Sequence, residues 1–80
     1  MLKLNNDKLF YAVKQLDDKT FAFTRSYNDD ITQDKKMLAG GVVEVSAWFN
    51  DTKNNIIKDL NSCGFSEFDQ LKAKQYMGLI

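Results

Sequence analysis

This 80-residue chain carries no histidine and a single cysteine, Cys63. Serine–histidine–aspartate and cysteine–histidine machinery is thereby excluded, because each needs an imidazole to take the nucleophile's proton. Cys63 falls near the end of an expected helix, where the dipole disfavours a thiolate, so it is read as a packing residue. The adjacent carboxylates Asp17/Asp18 and Asp29/Asp30 are the other candidates for chemistry. Acid–base pairs need a shared, partly dry site, whereas sequence neighbours on turns point apart into solvent. The string Asp29, Asp30, Asp34 lacks the Asp-x-Asp-x-Asp-Gly spacing of a calcium loop. Zinc or copper would need several carboxylates in unusual company. The expectation is a protein that is not an enzyme and uses no cofactor or metal.

Gly40-Gly41 raises the question of a phosphate cradle. Such cradles place spaced glycines after a strand and open a helix, so that backbone N–H groups meet the phosphate. Here the glycines precede an alternating run, Val42 to Phe49, and no Lys-Ser/Thr ending follows. A helix cap followed by a turn is the expected role.

Eighty residues support one domain, residues 1–80, since a chain this short buries only about 60–65% of its unfolded surface. The composition, 44% hydrophobic and 28% charged, is that of a folded globular domain rather than a disordered one. Eleven basic and eleven acidic residues cancel overall. They also cancel locally, seven against six up to Gly40 and four against five beyond it. Charge therefore gives no sign of a nucleic-acid tail or a membrane-surface patch. Arg25 is the one arginine, which counts against bidentate base readout. No segment approaches the ~18 apolar residues of a membrane span, and "MLKLNNDKLF" has no apolar leader core. A reducing, cytoplasmic setting and no membrane partner are expected.

Proline is absent, so Asn/Asp clusters and glycines divide the chain. Residues 20–27 alternate Phe21, Phe23 and Tyr27 with Thr20, Ala22, Thr24 and Ser26, which predicts a strand. Residues 9–16 fit either a strand or a helical stripe of Leu9, Ala12, Val13 and Leu16; the strand is preferred. A hairpin with Leu16 opposite Phe21 would put Phe10, Ala12, Leu16, Phe21 and Phe23 on one face. Acidic residues at the start of 29–41, lysines later and glycine at the end suit a short helix. The alternation of Val43, Val45, Ala47 and Phe49 predicts one strand with that face inward. Asn50 or Asp51 would cap a helix to Cys63, stopped by Gly64, and "SEFD" at 66–69 would start a last helix. The expected core is Phe21, Phe23, Val43, Val45, Phe49, Ile56, Leu60 and Phe68. The fold class is a small two-layer α+β domain: a three- to four-stranded, mainly antiparallel sheet with two C-terminal helices on one face.

On this scheme Trp48, the lone tryptophan, projects from the outer sheet face with Glu44 and Ser46, beside Tyr11 and Thr24. It either folds over the strand end or serves as a contact residue, tryptophan being a common binding hot spot. The function expected is a non-enzymatic protein-binding module or inhibitor, with Trp48, Tyr11, Glu44, Ser46 and Thr24 as its binding residues. A protein partner or a second copy forming a homodimer would occupy it. Small size and richness in Lys, Asn, Asp and Ile are compositional associations of bacteriophage and mobile-element accessory proteins. The alternative is a weak single-stranded nucleic-acid or RNA-binding domain stacking bases on the same aromatics.

Overall fold

The computed structural model describes residues 1–27, 35–38, 41–44 and 48–80, the side chains of 35–38 and 41–44 excepted. Strands β1 (Leu2–Asn5), β2 (Phe10–Gln15), β3 (Phe21–Ser26), β4 (Lys35–Leu38), β5 (Gly41–Glu44) and β6 (Phe49–Asp51) precede helices α1 (Lys53–Ser62) and α2 (Glu67–Tyr76). A four-stranded antiparallel sheet has the order β1-β2-β3-β6. Strands β4 and β5 form a separate antiparallel pair with Leu38 opposite Gly41. The chain is a small α+β domain, and its fourth strand comes from the N-terminal segment.

Turn chemistry sets the register. Asn6 Oδ1 accepts the N–H groups of Lys8 and Leu9, closing β1 onto β2. Asp17 Oδ1 accepts those of Lys19 and Thr20, at 2.9 and 2.8 Å. Leu16 N–H donates to the Thr20 carbonyl, leaving a three-residue turn, Asp17–Lys19, with Gln15 opposite Phe21. The expected pairing of Leu16 with Phe21 is thus off by one residue, and a one-residue slip sends a strand's side chains to the other face. Tyr11 and Val13 point into the core with Phe21 and Phe23, while Leu16 is exposed.

Asp17 also predicts acid behaviour. Its backbone hydrogen bonds hold its carboxyl below the ordinary value of 3.8, and the Asn55 and Thr52 contacts do the same for Asp51. Depressed folded-state values give stability that is present above pH 4 or so and lost as pH falls through the folded values. Asp17→Ala should therefore lower the melting temperature at pH 7 by a few degrees and flatten its decline in acid, as thermal scans would record.

Thr52 caps α1, its hydroxyl accepting Asn55 N–H at 3.2 Å, with Asp51 bonding the Thr52 N–H and the Asn55 side chain. Ser66 caps α2 through Asp69 N–H, as its Ser-x-x-Asp spacing suggests. Gly64, at φ +84°, ends the first helix in the left-handed conformation. Ile56 and Leu60 of α1, Phe65 of the connection, and Ala73 and Met77 of the second helical segment pack on Leu4, Tyr11, Val13 and Phe21.

Four further expectations are corrected or fall outside the described residues. Lys35–Leu38 is a strand, not part of a helix, because pairing with β5 overrides the local dipole pattern; residues 28–34 lie outside the description. The run from Val42 to Phe49 is divided between β5 and β6. Val45 lies outside the described residues and Val43 is described by backbone alone. Phe49 and Phe68 are not core: they stand 55% and 64% exposed, Phe49 on an edge strand and Phe68 on the side of α2 away from Ala73.

Candidate interaction surface

The register divides the expected binding residues between two faces. Tyr11 lies fully buried on the helix-packed face, its ring stacked on Phe23 at 5.7 Å and edge-on to Phe65 at 5.6 Å. The opposite face carries Ala12, Lys14, Ala22, Thr24 and Asn50. Ala12, Ala22 and Thr24 are buried there as well, so the centre of this second face is closed to solvent. Trp48 immediately precedes β6 and is half-buried, with Lys14 Nζ 4.0 Å from its ring centroid. Among the described residues its buried indole N–H has no hydrogen-bond partner. Glu44 ends β5, its side chain outside the description, and Ser46 lies outside the described residues. Trp48 and Tyr11 therefore do not form one platform.

A polar network that the sequence did not announce joins the sheet to α1. Tyr11 donates its phenol proton to Asp59 Oδ2 at 2.8 Å, and Arg25 pairs with Asp59 Oδ1. The same guanidinium nitrogen lies 3.6 Å from Cys63 Sγ. Burial, and then the Asp59 carboxylate, push the Tyr11 phenol far above the ordinary value for tyrosine. A phenol so held cannot serve as a base, and Asp59 has both oxygens engaged. Arg25, hydrogen-bonded to Asp59, is held more firmly protonated than usual. A cleft of about 510 Å³ opens beside the network, lined by Leu9, Arg25, Ser26, Tyr27 and Cys63. The helical stripe could have revealed the network: Asp59 and Cys63 share the 56, 59, 60, 63 spacing with buried Ile56 and Leu60.

Among the described residues, exposed apolar groups include aromatics on the last strand of the sheet and on the second helix. Strand β6 is, among the described residues, the last in its sheet, and its Phe49 packs one side of its ring near Phe23 at a centroid distance of 5.8 Å while over half stays bare. Helix α2 bares Phe68 and Leu71. Among the described residues no three His, Cys, Asp or Glu side chains converge as a metal site, and no helix is long and apolar enough to cross a membrane. Comparison with known proteins adds nothing to the geometry: no family model, no curated protein and no solved structure matches the chain.

Proposed function

We propose that this protein is a non-enzymatic, protein-binding module that works by occupying a partner's surface through the β6 edge around Trp48 and Phe49. The observation that carries this is Phe49, a large aromatic 55% exposed on an edge strand. Phe23 backs its ring, so the anchor is ordered before a partner arrives, which lowers the entropy lost on binding. An edge strand also offers main-chain donors and acceptors to an extended segment of the partner. The short β6 limits that pairing to a few hydrogen bonds, leaving the aromatic to supply most of the affinity. The cellular setting we assign is the cytoplasm, and the biological role an inhibitor or accessory protein of a phage or mobile element.

Stacking of unpaired bases is the weaker reading. Lys14 already occupies the ring of Trp48, and the neutral chain offers no surplus charge for a phosphate backbone.

Partners captured from the native host by wild type and by Phe49→Ala test the proposal. Because Phe49 is already more than half exposed, the substitution should leave the melting temperature within a few degrees of wild type. It should weaken the recovered complex by about 2 kcal/mol, as a hot-spot truncation does. The affinity should also hold between about 50 and 200 mM salt, where a phosphate-bound complex would weaken steeply. Undiminished binding by Phe49→Ala would remove the β6 edge from consideration.

A further inference from the structure

Helix α2 and its C-cap present apolar groups on two sides. Ala73 and Met77 are buried against the core, whereas Phe68 and Leu71 stand 64% and 43% exposed. A shallow cleft of about 420 Å³ runs along this outer side, lined by Glu67, Phe68, Gln70, Leu71 and Lys74. A bare apolar strip of this kind on so small a domain asks for a covering surface.

We propose that the strip is covered by the same strip of a second copy, α2 packing antiparallel on α2 about a two-fold axis beside Leu71. The order of charges selects this occupant. Glu67 and Lys74 are seven residues apart, two turns or ~10 Å along the axis, and so lie on one flank of the helix. Antiparallel packing reverses the second helix and brings Glu67 of each copy to Lys74 of the other, twice per dimer. Parallel packing about a two-fold would turn this flank of the second copy to the far side, so that neither pair could form. A pattern that is its own complement is what a two-fold interface requires, because the same patch must serve both sides. Among the described residues the one ion pair is Arg25–Asp59, so Glu67 and Lys74 are both available for the contact. Lys72, its Nζ 4.6 Å from the centroid of Phe68, would sit at the rim over that ring. Ten helical residues span only ~15 Å, so the interface is small and the dimer is a concentration-dependent equilibrium. This face is separate from the β6 edge, and either interaction can hold without the other.

Sedimentation equilibrium of the full chain from micromolar to millimolar concentration is the test, with thermal melts of each variant alongside. Wild type should move from monomer towards dimer mass. Leu71→Asp should remain monomeric with an unchanged melting temperature, the residue being exposed already. Glu67→Lys and Lys74→Glu should each weaken self-association about tenfold or more, through two like-charge contacts. Mixed in equal amounts, those two variants should associate again, since each then meets the opposite charge at both contacts. Three results would overturn the proposal: a wild type monomeric throughout, a dimer indifferent to Leu71→Asp, or single-charge variants that stay apart when mixed. A foreign protein bound to this strip by a wild type that does not self-associate would overturn it too. None of these outcomes would alter the effect of Phe49→Ala on partner capture.

Discussion

Tyr11→Ala should abolish folding at ordinary temperature, while Tyr11→Phe should leave a folded domain that is measurably weaker. Tyr11 is fully buried between Phe23 and Phe65. Removing a buried aromatic ring costs about 3–5 kcal/mol, comparable with the whole stability of a domain at the lower end of the 5–15 kcal/mol range. Phenylalanine keeps the ring and loses only the bond to Asp59 Oδ2, for which about 1–2 kcal/mol is expected. Alkaline unfolding gives a second readout. The folded-state phenol is raised above the ordinary 10.0, so its contribution is complete below pH 10 and is lost as pH rises beyond it. Stability should fall above pH 10 in wild type and fall less steeply in Tyr11→Phe. Urea titrations at neutral and alkaline pH would measure both effects. If Tyr11→Ala stayed folded with a small shift in midpoint, the β2–β3 register described above would be wrong.

Local signals made part of this fold legible. Alternation marked residues 20–27 as a strand, the Ser66–Asp69 spacing marked the start of α2, and Gly64 marked the end of α1. Register was not legible, because it depended on whether the connection after β2 held three or four residues, which Asp17 settles by capping two successive N–H groups. That single residue of difference moved Tyr11 from a supposed contact surface into the core. Lys35–Leu38 misled for another reason: its lysines suit a helix C-terminus, but strand formation follows from pairing with Gly41–Glu44, a contact made outside its own sequence window. Helix α2 hid its exposed face because apolar residues fall on both sides of it, so Phe68 looked like core when Ala73 and Met77 filled that place. The candidate site was therefore visible only as a residue type, an aromatic at the end of the 40–49 run. Which aromatic is bare depended on which strand ends the sheet.

The sheet face away from the helices makes the sharpest contrast between an open and a closed surface, and Thr24 tests it. As an outer-face residue it would accept aspartate with little change, because surface substitutions usually stay within about 0.5 kcal/mol. Instead it is 2% exposed, flanked in the sheet by Ala12, itself wholly buried, and two residues from Ala22 at 1%. Aspartate is close to threonine in size, so a loss of stability there reports the burial of a charge rather than overpacking. An unpaired buried carboxylate costs several kcal/mol, or else takes up a proton and still needs hydrogen-bond partners. Thr24→Asp should consequently unfold the domain at neutral pH, and Thr24→Val, which keeps the shape, should remain folded. Asn50→Asp is the control: it lies on the same face, but on the edge strand and exposed, and its melting temperature should barely move. Circular dichroism of the three variants at pH 7 decides the matter. A folded Thr24→Asp with a wild-type melting temperature would mean that water reaches the middle of this face, and Trp48 beside it would then regain the role of a contact residue in its own right.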